Sequence, residues 1–215
     1  VGLVWIVVAR DKPLEVPWLP EESSEHLAEA LAQEQSSMPQ YANFREALRV
    51  PGVMVLCFQY FCWSFGVYGL VIWIPAIIRS GSARGIEQIG LLSAAPFLLA
   101  VVLMLIVATF SDRVLRRTLF VWPFLILSGV ALFCSFATAG HNFWLAYFCL
   151  AIAGGTMYAP YGPFWAIMPE MLPRNVSGEV TALVNSCGAL GGFAGSWLVG
   201  WLQAVTGSSS DGYLA

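Results

Sequence analysis

Four stretches of this chain carry no Asp, Glu, Lys or Arg: Val50 to Ile78, Gln88 to Ser111, Thr118 to Pro169 and Val180 to Ser210. A bilayer core about 30 Å thick takes roughly 20 apolar residues as a helix. The first, second and fourth stretches therefore hold one crossing each, and the long third holds two. In lipid a lone segment satisfies its backbone only as a helix, so the fold class is all-α integral membrane. The composition agrees, with 58% hydrophobic and 11% charged residues and a mean hydropathy of +0.72. Crossings are expected at about 50–78, 88–110, 118–138, 142–168 and 179–203, and a further helix is expected to start near 212. Residues 1–9 are apolar but too short to span, and they lack the basic start and small-residue cleavage site of a secretory signal. They are expected to be the tail of an earlier crossing.

Residues 10–49 form the one long polar stretch and read as a loop between bundles. Pro20 followed by Glu21 and Glu22 is a helix start, and Leu27 with Leu31 gives a narrow apolar stripe, so a short surface helix is expected there. With that loop inside, the alternate turns place eight basic residues on the cytoplasmic side (Arg10, Lys12, Arg45, Arg49, Arg113, Arg116, Arg117, Arg174) against Arg79 and Arg84 outside. This satisfies the positive-inside rule. It also puts Asn175-Val176-Ser177, a glycosylation sequon by pattern, on the side where it has no acceptor role. The five cysteines lie in apolar windows without a CxxC pair, so they read as small hydrophobes; neither a metal site, a cofactor nor a nucleic-acid partner is expected.

The richest stretch runs from Met157 to Gln203. Gly154, Tyr158, Gly162 and Trp165 share one side of a span that Pro160 and Pro163 keep from being an uninterrupted helix. In the next span Gly188, Gly192, Ser196 and Gly200 recur every four residues, a small-residue stripe that lets a neighbouring backbone approach. Asn185 lies one turn before that stripe, and a carboxamide at that depth needs a partner helix or a passing solute. The first span carries Gln59 and Trp63 on one side and Tyr60, Ser64 and Tyr68 on another, a wet-looking face. Trp73-Ile74-Pro75 is expected to end it. The charged turn Ser111 to Arg117 is an orientation signal in Arg116 and Arg117, and Asp112 beside Arg113 is positioned for a salt bridge to a neighbouring helix. In PEMLPRNVSGE, Glu170, Arg174 and Glu179 bracket Pro169 and Pro173, which are expected to hold that turn out of either helix.

This pattern resembles the carboxyl-terminal half of a major facilitator superfamily transporter. SDRVLRR is similar to the second copy of the superfamily loop motif G-x-x-x-D-R-x-G-R-R, with Ala108 and Leu115 where the two glycines are expected. The segments WLPEE, IWIPAII and LVNSCGALGGFAGSWLVGWL resemble the anion:cation symporter family, and YGPFWAIMPEMLPRNVSGEVTALVNSCGALGGF is similar to bacterial 2-ketogluconate transporters. The resemblance implies a six-helix bundle, residues 50–215, that pairs with an amino-terminal half in a twelve-helix inner-membrane protein. It implies proton-coupled uptake of a small organic anion by alternating access. Trp165 and Asn185 match a substrate-contacting Trp and an Asn twenty residues later in related sugar-acid transporters, whereas Gly162 stands where a relative has Ser. Asn185, Trp165, Gln59, Tyr60 and Tyr68 are thus the candidate substrate residues, and Asp112, Arg113, Glu170 and Arg174 the candidate conformational gate. Tartrate, an aldonate or a hexuronate is the alternative cargo, and a non-transporting sensor is a further reading. An intramembrane enzyme is disfavoured because the spans offer no acid, base or metal ligand set.

Overall fold

The computed structural model describes residues 13–37, 41, 43–80 and 85–206. The expected ends of flanking helices, residues 1–9 and the region near 212, lie outside the described residues. Among the described residues eight α-helices follow one another: α1 Glu21–Ser37, α2 Phe44–Ala47, α3 Pro51–Ser80, α4 Ile86–Val114, α5 Trp122–Thr138, α6 Phe143–Tyr158, α7 Tyr161–Met171 and α8 Arg174–Thr206. Two 3-10 turns, Pro13–Glu15 and Arg117–Phe120, complete the elements. Five segments are long and apolar enough to cross a bilayer, with α6 and α7 together making one of them.

The charge-free windows thus map onto helices, but their ends differ in three places. Helix α3 continues through Pro75 to Ser80 instead of stopping at Pro75; a span interior tolerates the lost donor when neighbours and local adjustment re-satisfy the backbone. Pro169 lies inside α7. Helix α8 begins at Arg174, directly after Pro173, so only Leu172 and Pro173 separate the two helices and the turn is far shorter than its prolines suggest. Pro173 there ends one helix and leads into the next, where a missing N–H costs nothing because the first turn of a helix has no acceptor for it.

In α1 the inward face is Ser24, Ala28, Leu31 and Gln35, and Leu27 points outward. The loop is fastened to the start of α8. The Arg174 N–H donates to Gln35 Oε1 at 2.9 Å, and the Asn175 side-chain amide donates to the Tyr41 carbonyl at 2.7 Å. A first-turn N–H has no acceptor within its own helix, and a side-chain oxygen supplies one here.

The bundle is held by two close helix pairs. In the first, α8 lies against α3 through glycine: a Cβ on Gly191 would stand 2.1 Å from the Phe61 carbonyl oxygen, and one on Gly195 would stand 2.1 Å from that of Phe65. Gly69 faces Gly195 and Val199 from the other side. The closest backbone approach is therefore at Gly191 and Gly195, while Gly188 and Gly192 of the expected stripe lie beneath the Tyr60 and Tyr68 rings. In the second pair α6 lies against α4, where Cβ atoms on Gly154 and Gly155 would meet Pro96 and Leu99 at 2.9 and 2.7 Å.

Buried hydroxyls tie the remaining helices by donating to backbone carbonyls. Ser128 reaches Ala153 O at 2.9 Å and Ser135 reaches Ala146 O at 2.8 Å, joining α5 to α6. Tyr147 donates to Leu92 O at 2.9 Å, joining α6 to α4. Between apolar helices in lipid, such bonds and close packing replace the hydrophobic effect as the source of association. The large exposed apolar residues, among them Leu98, Val101 and Leu105 of α4 and Ile126, Val130 and Phe133 of α5, form the lipid-facing surface.

Replacement of Gly191 or Gly195 by Ala is expected to sharply lower the yield of monodisperse protein in fluorescence-detected gel filtration. Gly90→Ala and Gly129→Ala, where a Cβ meets nothing within 4 Å, are expected to leave it unchanged.

Candidate substrate face and ion-pair network

The interruption between α6 and α7 at Ala159 and Pro160 is the centre of the candidate site. Pro160 has no N–H, and Pro163 removes another donor in the first turn of α7. Met157 is the penultimate residue of α6, so in an unbroken helix its carbonyl would accept from the N–H four residues on. Here the indole of Trp63 donates to it at 2.9 Å, in a fully buried bond. Backbone left open at membrane depth must be satisfied by protein, and α3 supplies the donor.

Around this point the aromatics interlock. Trp63 packs on Tyr161 with centroids 4.6 Å apart and edge-on to Phe164 at 5.3 Å. Tyr60 stacks on Phe164 at 5.1 Å and meets Trp165 edge-on at 5.0 Å. Tyr161 in turn stacks on Tyr158 at 5.5 Å. Such offset and edge-on pairs add to the area they bury by about 0.5–1.5 kcal/mol each. The cluster fixes α7 against α3 and sets the direction in which Trp165 projects.

Helix α8 closes one side. A Cβ on Gly188 would stand 2.2 Å from the Tyr60 ring, and one on Gly192 would stand 2.6 Å from that of Tyr68. Asn185 is one turn nearer the start of α8 on the side that Gly188 and Gly192 occupy. Asn185 is exposed, Tyr68 is 49% exposed and Trp165 half-buried, whereas Tyr60 is 8% exposed. The Asn185 carboxamide has no hydrogen-bond partner among the described residues. Tyr60, Tyr68, Trp165 and Asn185 thus belong to one face built by α3, α7 and α8, with Tyr60 as its packed floor.

Gln59 belongs elsewhere. It lines an apolar cavity of about 360 Å³ with Leu56, Thr118, Trp122 and Met171, on the side of α3 toward the start of α5. One step along a helix turns a side chain by about 100°, which is enough to part Gln59 from Tyr60.

At the other end of α7 lies an ion-pair network centred on Arg117. Its guanidinium pairs with Asp112, and it reaches Glu170 through Nη2 at 2.8 Å and Nε at 2.9 Å. It also donates to the buried Ser111 hydroxyl at 3.2 Å. Of the four candidate gate residues, Asp112 and Glu170 share one cation, Arg117, which was not among them. Arg113 is exposed and makes no ion pair among the described residues, and Arg174 contributes its backbone N–H to Gln35 instead of a charge to the network.

The turn explains the exchange of cations. Helix α4 ends at Val114, and Leu115 adopts the left-handed conformation at φ 55°, ψ 22°, reversing the chain into the 3-10 turn so that Arg117 returns to the end of α4. A cation five residues after Asp112 is out of register for a continuous helix, and only the reversal at Leu115 brings it back. The left-handed residue is the second glycine position of the loop motif. Only glycine adopts that backbone freely, and another residue costs about 1–2 kcal/mol.

The Major Facilitator Superfamily matches residues 1–196. The chain belongs to that superfamily. Among curated relatives, a "Putative tartrate transporter" of Agrobacterium vitis is 31% identical over 98% of this chain and 46% of its own length. A "Quinolone resistance transporter" of Acinetobacter baumannii is 28% identical over 97% of this chain and 48% of its own. "Sodium-dependent phosphate transport protein 1" of Rattus norvegicus is 22% identical over 93% of this chain and 44% of its own. The superfamily chain thus spans about half the length of the curated relatives it matches, and it is a multi-pass membrane protein.

Because this superfamily member carries Leu at the left-handed position, Leu115→Gly is expected to raise the thermal unfolding midpoint of the purified protein, by an amount equivalent to about 1 kcal/mol. Leu115→Ala, which keeps the Cβ, is expected to leave it unchanged or lower.

Proposed function

We propose that this chain is the carboxyl-terminal half of a secondary active transporter of the inner (plasma) membrane that takes up a sugar acid by alternating access. The observation that carries the reading is the pairing of an exposed, unpartnered Asn185 with the Tyr60, Tyr68 and Trp165 rings on one face of a bundle whose spans are otherwise without charge. A polyhydroxylated carboxylate offers hydroxyls to a carboxamide and an apolar carbon face to an indole. Trp165 packs against that carbon face and Asn185 donates to a hydroxyl or carboxylate oxygen.

The anion's charge and the coupled proton are handled in the amino-terminal half, since an anion in a low-dielectric cavity needs a cation and coupling needs a titrating group. Asp112, Arg117 and Glu170 act as a cytoplasmic gate, an ion-pair network that holds one conformation and opens in the other. The resemblance to 2-ketogluconate transporters makes 2-ketogluconate the first cargo to test. Tartrate is the second reading, favoured by the name of the relative that is 31% identical over nearly the whole chain. Either cargo is a hydroxylated carboxylate and engages the same residues.

Uptake of labelled 2-ketogluconate, gluconate and tartrate by cells expressing the full-length protein tests this. One of the three is expected to accumulate. For that substrate Asn185→Ala is expected to weaken apparent affinity about tenfold or more, from the loss of a hydrogen bond to an anion, with the amount of protein in the membrane unchanged. Trp165→Ala is expected to act in the same direction. Loss of protein from the membrane with normal affinity in what remains would mean that Asn185 only joins helices.

A further inference from the structure

Trp63 of α3 reaches into the interruption of the fourth crossing, and its two contacts there differ in kind. Its ring packs on Tyr161 and Phe164 of α7, while its N–H is bonded to the last turn of α6 through Met157 O. One side chain at 5% exposure thereby spans both halves of the broken helix. The Met157 carbonyl has two ways to be satisfied, and it depends on Trp63 only where the helix is broken. It accepts from Trp63 when the helix is broken, or from the Tyr161 N–H when α6 and α7 run on as one helix. Straightening would swing α7, and with it Phe164 and Trp165, relative to Tyr60, because all three rings stand on α7 or against it.

We propose that Trp63 is a positioning residue for the substrate face: its indole N–H on the Met157 carbonyl holds the bent form of the α6–α7 span and so keeps Trp165 against Tyr60. The inference rests on the reading of Trp165 as a substrate contact. It concerns a residue that touches no substrate and acts through the backbone of another helix. The mechanism is a bias between two backbone arrangements, and a buried neutral hydrogen bond is enough to shift such an equilibrium roughly three- to tenfold. The affinity of a ligand that needs the bent form falls by the fraction of that form that is lost.

The test uses the full-length transporter in an otherwise cysteine-free background, with spin labels at Phe148→Cys on α6 and Ala166→Cys on α7. Trp63→Phe keeps an aromatic ring on Tyr161 and removes the N–H. It is expected to broaden or displace the interspin distance distribution, and an unchanged distribution overturns the proposal. Pro160→Ala leaves Trp63 intact and supplies the N–H that would bond the Thr156 carbonyl in a continuous helix, so it is expected to move the distribution in the same direction even if Trp63→Phe folds poorly, and an unmoved distribution overturns the bent-to-straight equilibrium. In uptake assays Trp63→Phe is expected to weaken apparent substrate affinity about three- to tenfold. In a Trp165→Ala background it is expected to add nothing, because both changes act through one contact. A general loss of stability would instead add to the effect of Trp165→Ala, and that result overturns the proposal. A shifted distance distribution with affinity unchanged in Trp165→Ala itself would instead overturn the reading of Trp165 as a substrate contact, while leaving Trp63 as the holder of the bend.

Discussion

The contact on which the rest depends is the meeting of two backbones where Gly191 and Gly195 of α8 lie on the Phe61 and Phe65 carbonyls of α3. A side chain of any size at either glycine would stand 2.1 Å from an oxygen atom, so the helices can be this close only because both positions lack a Cβ. Close approach lets dispersion and weak backbone contacts accumulate along the seam, which in lipid must do what water-driven burial does in a soluble core. It also fixes the register of everything on the same side. With Gly191 and Gly195 on the seam, Gly188 and Gly192 fall under Tyr60 and Tyr68, and Asn185 follows one turn earlier. A face that carries aromatic rings and one free carboxamide is the geometric result.

The second constraint is that every backbone group at membrane depth needs a partner inside the protein. The α6–α7 interruption meets it by borrowing a donor from α3, and the same bond ties the broken crossing to the glycine seam. Ser128, Ser135 and Tyr147 apply the rule elsewhere, each hydroxyl donating to a carbonyl of another helix. Trp63 thus links the α3–α8 pair to the α4–α6 pair by one directional bond, beside the aromatic packing of Tyr60 and Trp63 on α7. At the far end of α7 the Arg117 network binds the end of α4 to the end of α7, so the proposed gate and the candidate substrate face share α7.

Much of the fold was legible from where charge is absent, because the cost of an ion in hydrocarbon leaves windows that only a helix can fill. The interrupted fourth crossing was legible from Pro160, and the surface helix from Pro20 and the two glutamates that follow it. Less legible was whatever depends on rotation about a helix axis. Gln59 and Tyr60 are neighbours in sequence, yet Gln59 lines a cavity while Tyr60 packs against Phe164 and Trp165, and the closest backbone approach falls at Gly191 and Gly195, one position before Gly192 and Ser196 of the expected stripe. Trp63, Tyr161 and Phe164 gave only a weak signal, an excess of aromatics on either side of a proline, since their roles follow from contacts between segments about a hundred residues apart. Arg117 was hidden for a local reason. The left-handed Leu115 reverses the chain, and a non-glycine residue gives no hint of that conformation.

On the function proposed above, this half presents neutral groups to a charged solute, and that neutrality is the central physical claim. In that proposal hydrogen bonds and rings select the carbon skeleton and its hydroxyls, while charge compensation and proton coupling reside in the partner half. The most direct measurement is uptake of the transported carboxylate into vesicles holding the full-length protein, with and without an imposed pH gradient, for Asp112→Asn, Glu170→Gln and Glu179→Gln. The account predicts altered rates but uptake that still depends on the gradient in all three. Gradient-independent exchange at the wild-type rate in any one of them would place the coupling site in this half and contradict it.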